Sequence, residues 1–173
     1  MDKTDLQILQ HIQTNARFSM VELAERVNLT QTPCARRVQN LEKTGVIEHY
    51  VGLLNPKSVG LPVNAFVELS LKREDERVVP EFESGLREFP EVMECYALSG
   101  GHDYLLRVVA PDLDAYHSFL KEKLLRLRGV EGMQTSFALS RLIYKTELPL
   151  NHLPLNQLSV NQSSVNLPST RIN

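Results

Sequence analysis

The period of the apolar residues changes repeatedly between residues 61 and 144, and this order constrains the fold more than any other feature of the sequence. Alternation with period two indicates strands, whereas spacing of roughly three to four residues indicates helices. Six segments follow one another: a strand at 63–71, a helix at 79–89, strands at about 92–98 and 104–110, a helix between Asp112 and Gly129, and a strand at about 133–144. The order is βαββαβ, which predicts a split ferredoxin-like sandwich whose sheet carries two helices on one face.

The other face of this sheet needs a cover of its own. Val63, Val67, Met133 and Phe137 are apolar strand positions that a second subunit could bury. We therefore expect a dimer that forms through the sheets or their edges.

The first sixty residues predict three short helices. Thr4 is expected to cap the first helix. Ser19 and Glu22 have the spacing of a capping box, in which each side chain accepts a hydrogen bond from a backbone N–H of the other residue. This box is expected to begin a second helix at about 20–27.

The third helix, expected between Thr30 and Gly45, has two different faces on a helical wheel. Apolar residues share one side, namely Cys34, Val38 and Leu41. Polar residues share the opposite side, namely Thr32, Arg36, Gln39 and Lys43. The whole pattern predicts a helix-turn-helix, whose last helix enters the major groove of DNA, but an ordinary three-helix bundle with a solvated face fits the periodicity equally well. The strand-like residues 46–54 then lead into a linker.

Composition limits the class of protein. With 173 residues, of which 42% are hydrophobic and 23% charged, the chain has the composition of a soluble globular protein. No apolar run approaches the roughly 18 residues that span a bilayer, and we expect a cytoplasmic protein. The net charge of −2 argues against coating of nucleic acid by bulk attraction. Cys34 and Cys95 lack metal-ligand spacing, and each is expected to be a small buried hydrophobe.

Residues 151–173 carry a short repeat in which an asparagine recurs every five residues. Four imperfect, almost uncharged copies cannot bury a continuous core, so we expect a flexible tail rather than a solenoid. The sequence thus predicts a first domain at 1–60, a second at 61–150 and a tail at 151–173.

Several motifs in this order give the chain its resemblance to a known family: Asp2-x-x-Asp5-x-x-Ile8-Leu9, Leu23-Ala24-x-x-Val27-x-Leu29-Thr30-x-Thr32-Pro33-Cys34-x-x-Arg37-Val38-x-x-Leu41-Glu42-x-x-Gly45-Val46-Ile47, Leu54-Asn55-Pro56, Ser99-Gly100-x-x-Asp103-Tyr104-Leu105-Leu106 and Thr146-x-Leu148-Pro149. Over about residues 1–150 the chain resembles the Lrp/AsnC family of transcriptional regulators. The resemblance implies an α+β protein with an N-terminal winged-type helix-turn-helix domain and a C-terminal βαββαβ ferredoxin-like effector (RAM) domain. It also implies a homodimer that forms higher oligomers such as an octamer, and regulation of amino-acid metabolism.

By this resemblance the helix at 30–44 reads double-stranded DNA. Arg36 can donate a pair of hydrogen bonds to guanine, and Gln39 can pair with adenine. Thr32 and Lys43 lie on the same outward face of the helix as Arg36 and Gln39. Phosphate contacts are expected from four further residues, namely Ser19, Thr30, Gln31 and Arg37. For Arg37 an internal salt bridge is equally compatible with the sequence.

The resemblance also places an amino-acid effector near the loop between the second and third strands. Backbone N–H groups at Gly100 and Gly101 could bind its carboxylate, and Asp103 its ammonium. Without the family, a hairpin whose glycines merely allow positive φ would be the preferred interpretation. Gly101 stands where the family usually has an acidic residue, so a basic side chain should gain less there than an apolar one. The resemblance makes leucine or methionine the leading candidates, and no cofactor is expected. The full set expected at this intersubunit site is Ser99, Gly100, Gly101, His102, Asp103, Tyr104, Thr135, Ser136, Phe137 and Leu139.

Two rival functions deserve comparison. Ser99, His102 and Asp103 have the residue types of a hydrolase triad, but adjacent residues at the start of a strand point to opposite faces. Asp103 could not then orient the imidazole, so we expect no catalytic residue and no metal site. A ligand-binding module without DNA binding is the other alternative, and the helix-turn-helix pattern argues against it.

Overall fold

The computed structural model describes residues 1–72 and 75–153, which belong to two units. One unit comprises Met1–Gly52 and the described residues from Tyr144 onward, and the other is Leu53–Ile143. The expected boundaries lay elsewhere, near residue 60 and at residue 150. The tail expected at 151–173 lies outside the described residues beyond residue 153.

Three helices form the first unit, α1 (Lys3–Thr14), α2 (Met20–Arg26) and α3 (Gln31–Lys43). Asp2, rather than Thr4, caps α1, because the Asp2 carboxylate accepts the backbone N–H groups of Thr4 and Asp5. The capping box expected at the start of α2 is confirmed. The helices meet in a buried apolar core made of Ile8, Leu9, Leu23, Ala24, Val27, Cys34, Val38 and Leu41.

The segment after α3 is not a strand: the structure assigns none to residues 46–54, all of which it describes. Gly45 has a φ of 72°, a left-handed conformation that favours glycine and turns the chain out of the helix. The N–H groups of Val46 and Ile47 both bond the Leu41 carbonyl, and their side chains pack against the helical core. The extended pattern of this segment therefore reflects its packing and not sheet pairing.

The chain beyond residue 143 returns to the first unit, which explains the position of the observed boundary. The backbone N–H of Leu148 donates to the Gln13 side chain at 2.6 Å, and Leu150 packs against the helical core. Nothing in the local pattern of this segment distinguishes it from the second domain.

The second unit has the predicted βαββαβ order. Its elements are β1 (Val63–Leu71), α4 (Val78–Arg87), β2 (Val92–Ala97), β3 (Tyr104–Ala110), α5 (Leu113–Glu122) and β4 (Val130–Phe137), with short 3-10 helices at Lys57–Val59 and Leu124–Arg126. The sheet order is β2-β3-β1-β4, and every neighbouring pair is antiparallel. This is the ferredoxin-like α+β architecture that the sequence predicted.

The last helix and strand differ from their predicted bounds. Helix α5 ends at Glu122, and β4 spans residues 130–137 rather than 133–144. Gly129 explains the early start: its φ is 88°, a Cβ there would overlap Val78, and its carbonyl accepts the Lys72 N–H at 2.8 Å. At the other end the last pair is Phe137 with Ala65, and one further bond joins the Ala138 N–H to the Asn64 carbonyl. Because β1 begins at Val63, the residues that follow have no strand to pair with.

Odd-numbered and even-numbered residues of β1 point to opposite faces of the sheet. Ala65, Val67, Leu69 and Leu71 are buried and pack with Phe82 and Phe119 beneath α4 and α5. Of the four residues expected to face a second subunit, Val63, Val67 and Met133 lie on the helix-covered side, so for these three the expectation is wrong; Phe137 lies on that side too but stays 45% exposed. Val67 is fully buried, Val63 and Met133 pack against the same core, and the Phe137 ring lies 5.1 Å from that of Tyr116 on α5.

The opposite side of the sheet, here called the open face, carries the even-numbered residues of β1 and the residues paired with them. These are Asn64, Phe66, Glu68, Ser70, Glu94, Tyr96, Leu105, Arg107, Val109, Gln134 and Ser136. Arg107 donates to Glu94 at 2.6 Å and to Asn64 at 3.1 Å. The face is thus more polar than the sequence analysis supposed.

Among the described residues, no helix is both long and apolar enough to span a membrane. The same residues contain no group of three or more metal-ligating side chains placed around one point.

Candidate nucleic-acid interface and effector site

The outward face of α3 carries the polar residues that the sequence assigned to DNA contact. Cys34, Val38 and Leu41 are buried against α1 and α2 and fix which side faces outward. Seven of the eight expected contact residues are exposed, and six of these are Ser19, Thr30, Gln31, Thr32, Gln39 and Lys43. Arg36 is exposed as well, and its guanidinium takes part in no ion pair among the described residues. Such side chains keep their hydrogen-bonding groups available to a ligand.

Ser19 and Thr30 begin the two helices of the motif and differ in their bonding. The Ser19 hydroxyl accepts the Glu22 N–H at 3.2 Å, and the Glu22 carboxylate accepts the Ser19 N–H at 2.8 Å. Thr30 occupies the N-cap position of α3 without a side-chain capping bond. Asn28, with a φ of 54°, makes the tight turn that directs the chain from α2 into α3.

Arg37 differs from the other expected contact residues because it is half-buried and paired within the unit. Its guanidinium lies 2.8 Å from an Asp2 oxygen and 2.7 Å from an Asp5 oxygen. These bonds, to Asp5 first and to Asp2 second, raise the pKa of Arg37. This is the internal salt bridge that the sequence left open as an alternative to a phosphate contact.

The loop between β2 and β3, residues 99–103, is fastened to the sheet at its last residue. The backbone N–H of Asp103 donates to the Leu69 carbonyl, and its carboxylate accepts the Leu71 N–H, both at 2.8 Å. Its carbonyl accepts the Leu98 N–H at 2.8 Å. These three hydrogen bonds of Asp103 therefore fix the position of the loop relative to the end of β1.

The two glycines of this loop are not explained by backbone geometry. Neither Gly100 nor Gly101 has a positive φ, and a Cβ on either would meet no atom within 4 Å. The hairpin alternative, in which glycine serves only to allow positive φ, is therefore wrong. Both residues are exposed, which leaves their backbone open to approach.

His102 connects the loop to the open face through two residues that the sequence analysis missed. Its Nδ1 lies 3.1 Å from the Ser70 hydroxyl, and its Nε2 lies 4.0 Å from a Glu68 carboxylate oxygen. The period-two pattern of β1 could have placed Glu68 and Ser70 on one face, but not beside a loop that follows about thirty residues later. Tyr104 points the other way, and its buried hydroxyl donates to Glu83 on α4 at 2.8 Å.

The remaining expected effector residues do not adjoin this loop within one chain. Phe137 pairs with Ala65, whereas Asp103 contacts Leu69 and Leu71 farther along β1. The Thr135 hydroxyl lies 2.7 Å from that of Tyr116, on the helix side of the sheet, and Leu139 is 99% exposed. Ser136 is on the open face. Within one chain, these residues and the loop therefore lie apart along the sheet.

A separate cleft of about 380 Å³ lies between α4 and β2 and includes Cys95. Cys34 is buried as expected, but Cys95 is exposed, which contradicts the expectation. Partial burial of its thiol, and then the nearby Glu83 carboxylate, raise the pKa of Cys95. Burial likewise raises the pKa of Cys34, so neither thiol is activated as a nucleophile.

Two family models match the chain and together cover both units. A winged helix-turn-helix DNA-binding model matches residues 1–48. A model of the Lrp/AsnC ligand binding domain matches residues 64–148.

Curated relatives and solved structures agree with these matches. The leucine-responsive regulatory proteins of Escherichia coli K12 and Klebsiella pneumoniae are each 40% identical over 152 residues, which is 84% of this chain and 93% of theirs. A Neisseria meningitidis transcriptional regulator solved as a complex with L-Met is 43% identical, with a TM-score of 0.84 over 88% of this chain and 98% of that one. An AsnC family regulator from Agrobacterium tumefaciens is 38% identical, with a TM-score of 0.84 over 89% of this chain and 100% of that one.

Proposed function

The chain belongs to the Lrp/AsnC family of DNA-binding transcriptional regulators, which are not enzymes, and on this premise we propose that it regulates amino-acid metabolism in response to a small apolar amino acid. The observation that carries the proposal is the exposed polar face of α3 above a fully apolar buried face. The same chain holds a ligand-binding domain of the family's type.

The DNA contacts divide into base-reading and phosphate-binding residues. We assign base reading to Arg36, which pairs with guanine, and to Gln39, which pairs with adenine, with Thr32 beside them. Lys43 and the helix-end residues Ser19, Thr30 and Gln31 hold phosphates, which fixes the register of the protein on DNA without reading sequence. Arg37 is left out of this set because two carboxylates already bind its guanidinium.

The effector site rests on the loop at residues 99–103. The N–H groups of Gly100 and Gly101 bind the carboxylate of the amino acid, and the loop glycines allow it to approach the backbone closely. Asp103 supplies negative charge for the ammonium group while its carboxylate also anchors the loop on Leu71, since a carboxylate can accept several hydrogen bonds.

The apolar preference follows from charge. Gly101 provides no carboxylate, so a basic side chain gains less at this site than an apolar one. The L-Met complex of the Neisseria relative and the leucine-responsive relatives support methionine and leucine as the leading effectors. We place the effector between subunits, where Thr135, Phe137 and Leu139 of a second copy reach the loop.

Assembly is proposed to bury the open face and the exposed apolar segments on either side of the second unit. Val51, Leu53 and Leu54 precede the sheet, and Leu142 and Ile143 follow it, each at least 60% exposed. Isolated exposed hydrophobes are common, but a run of them flanking a bare sheet face favours a partner surface. A two-fold dimer of this kind forms larger assemblies, such as an octamer, by repeating further contacts.

The decisive experiment measures DNA binding and effector binding on one preparation. A duplex selected from a random pool should bind far more tightly than an unrelated duplex of equal length at fixed salt. Of the twenty amino acids, leucine or methionine should raise the melting temperature, because a ligand that binds only the folded state stabilises it. A protein that prefers no sequence, or that no amino acid stabilises, would contradict the corresponding half of the proposal.

The assembly has its own test on the open face. Replacing Phe66, which is 36% exposed there, by Glu should convert the protein to monomers at micromolar concentration, since the desolvation of a charge in an interface can exceed what pairing with Arg107, opposite it on β3, returns. Leu113→Glu is the matched control, because Leu113 is 60% exposed on α5 and away from that face. Sedimentation velocity reports the result. A monomeric parent, or equal effects of both variants, would refute the proposed interface.

A further inference from the structure

The strongest unassigned feature is a three-residue cluster that joins the start of α1 to the middle of α3. The Arg37 guanidinium on α3 contacts Asp2 at 2.8 Å and Asp5 at 2.7 Å. The Arg37 side chain is 32% exposed and that of Asp5 is 14% exposed, whereas that of Asp2 is 52% exposed, so only the pair between Arg37 and Asp5 is shielded from solvent.

The cluster is tightly defined because the capping box of α1 uses the same carboxylates. One Asp2 oxygen accepts the N–H groups of Thr4 and Asp5, and the other binds Arg37. One Asp5 oxygen accepts the Asp2 N–H, and the other binds Arg37. All four carboxylate oxygens therefore have partners, and neither side chain can rotate without breaking a bond to the backbone.

The Asp2 carboxylate is held in its charged form by its hydrogen-bond partners. The Asp5 N–H bond lowers the pKa of Asp2, and Arg37 lowers it further. Two negative charges three residues apart at one helix end would repel each other, and the guanidinium between them offsets this repulsion. The cluster thus needs Arg37 from the other helix to be complete.

Partly exposed ion pairs contribute little to overall stability, so stability is a poor explanation for so specific an arrangement. Orientation is a better one. Arg37 directly follows Arg36, and a polar contact with DNA bases requires the reading side chain to be held within about 0.5 Å and 10–20°. Burial of apolar surface is non-directional, whereas the hydrogen bonds of this cluster have preferred directions and so specify one rotation of the helix about its axis.

We propose that Asp2, Asp5 and Arg37 form a positioning cluster that fixes the rotation of α3 relative to α1. Arg37 acts through Arg36 and Gln39 and does not bind phosphate. This inference rests on the proposed reading of DNA by α3, and it adds three positioning residues to that function.

The test uses the full-length protein with Arg37→Gln and Asp5→Asn, which remove the ion pair from either side. The dissociation constant is measured on the selected duplex and on an unrelated duplex over a range of salt concentrations, at a temperature where melting curves show each variant folded. Both variants should weaken binding to the selected duplex by about tenfold, the loss expected when one base contact is misaligned. Binding to the unrelated duplex and the salt dependence should stay unchanged.

A matched control and a double variant sharpen this result. Glu25→Gln removes the same charge from an exposed position on α2 and should change neither constant. The variant that combines Asp5→Asn and Arg37→Gln should be no worse than either single change, because residues that act as a pair are not additive.

Two other patterns would overturn the proposal. If Arg37 binds phosphate, Arg37→Gln weakens both duplexes alike and lowers the salt slope by about 0.9, while Asp5→Asn leaves binding unchanged or tightens it. If the cluster only stabilises the fold, both variants lower the melting temperature and alter neither constant. A parent that prefers no duplex would refute the proposed function itself, which separates that failure from failure of the positioning cluster alone.

Discussion

Arg36→Ala is expected to weaken binding to the selected duplex by about 1–3 kcal/mol, which corresponds to roughly fivefold to more than a hundredfold in affinity. The exposed guanidinium is the one group on the outward face of α3 that can donate two parallel hydrogen bonds to guanine. Its loss should also relax the preference for guanine at one position of the site. Competition shift assays against duplexes substituted at each position report both effects.

Lys43→Ala separates base reading from simple attraction to phosphate. A lysine is a point charge at the end of α3, so its loss should weaken binding to all sequences by a similar factor and reduce the salt dependence. Lys121→Ala, an exposed lysine on α5 of the other unit, serves as the charge-matched control. If Arg36→Ala and the parent bound every duplex alike, α3 would not be the reading helix.

The local elements were predictable because their signals lie within a few residues of one another. The bounds of β1 were predicted as observed, since its alternating apolar residues end at a charged turn. The capping box at Ser19 and Glu22 was also predictable, because both halves of the motif lie within one helical turn. The βαββαβ order followed from these local periods alone.

The choice of sheet face was harder to predict. Alternation shows that Val67 and Glu68 point to opposite sides, but it does not say which side the helices cover. Apolar residues were assigned to both faces, whereas the structure buries Val67 under the helices and leaves the polar Glu68 on the open face. The burial of the odd-numbered residues is a tertiary property, set by helices that lie far along the chain.

The contacts of Arg37 and Leu148 show the same limit at longer range. Arg37 meets residues more than thirty positions away, and the Leu148 backbone meets Gln13, which is 135 positions away. Neither partner is encoded by local spacing. The sequence allowed two interpretations of Arg37, a phosphate contact or an internal salt bridge. Only the three-dimensional positions of Asp2 and Asp5 distinguish the two.

Regulation in this protein requires coupling between two different units. The proposed reading helix, α3, belongs to the first unit, and the loop at residues 99–103 belongs to the second. A ligand shifts DNA affinity only by its difference in affinity for two states of the protein, and such coupling typically amounts to about 1–3 kcal/mol. Because the proposed effector site draws on two subunits, the assembly is the element through which we expect this difference to arise.

Asp103→Ala is expected to abolish the rise in melting temperature that leucine or methionine produces, while DNA binding without ligand stays as in the parent. The change removes the charge proposed to face the ammonium group and also the acceptor of the Leu71 N–H that holds the loop on β1. Asp103→Asn distinguishes these two roles, because an amide oxygen can still accept that N–H but carries no charge. If charge decides the affinity, both variants lose the ligand; if anchoring decides it, the asparagine variant retains it.

Asp114→Ala, which removes an exposed carboxylate on α5, is the matched control and should keep full affinity. Isothermal titration calorimetry measures all four proteins directly, and unchanged affinity in Asp103→Ala would show that the effector binds away from this loop.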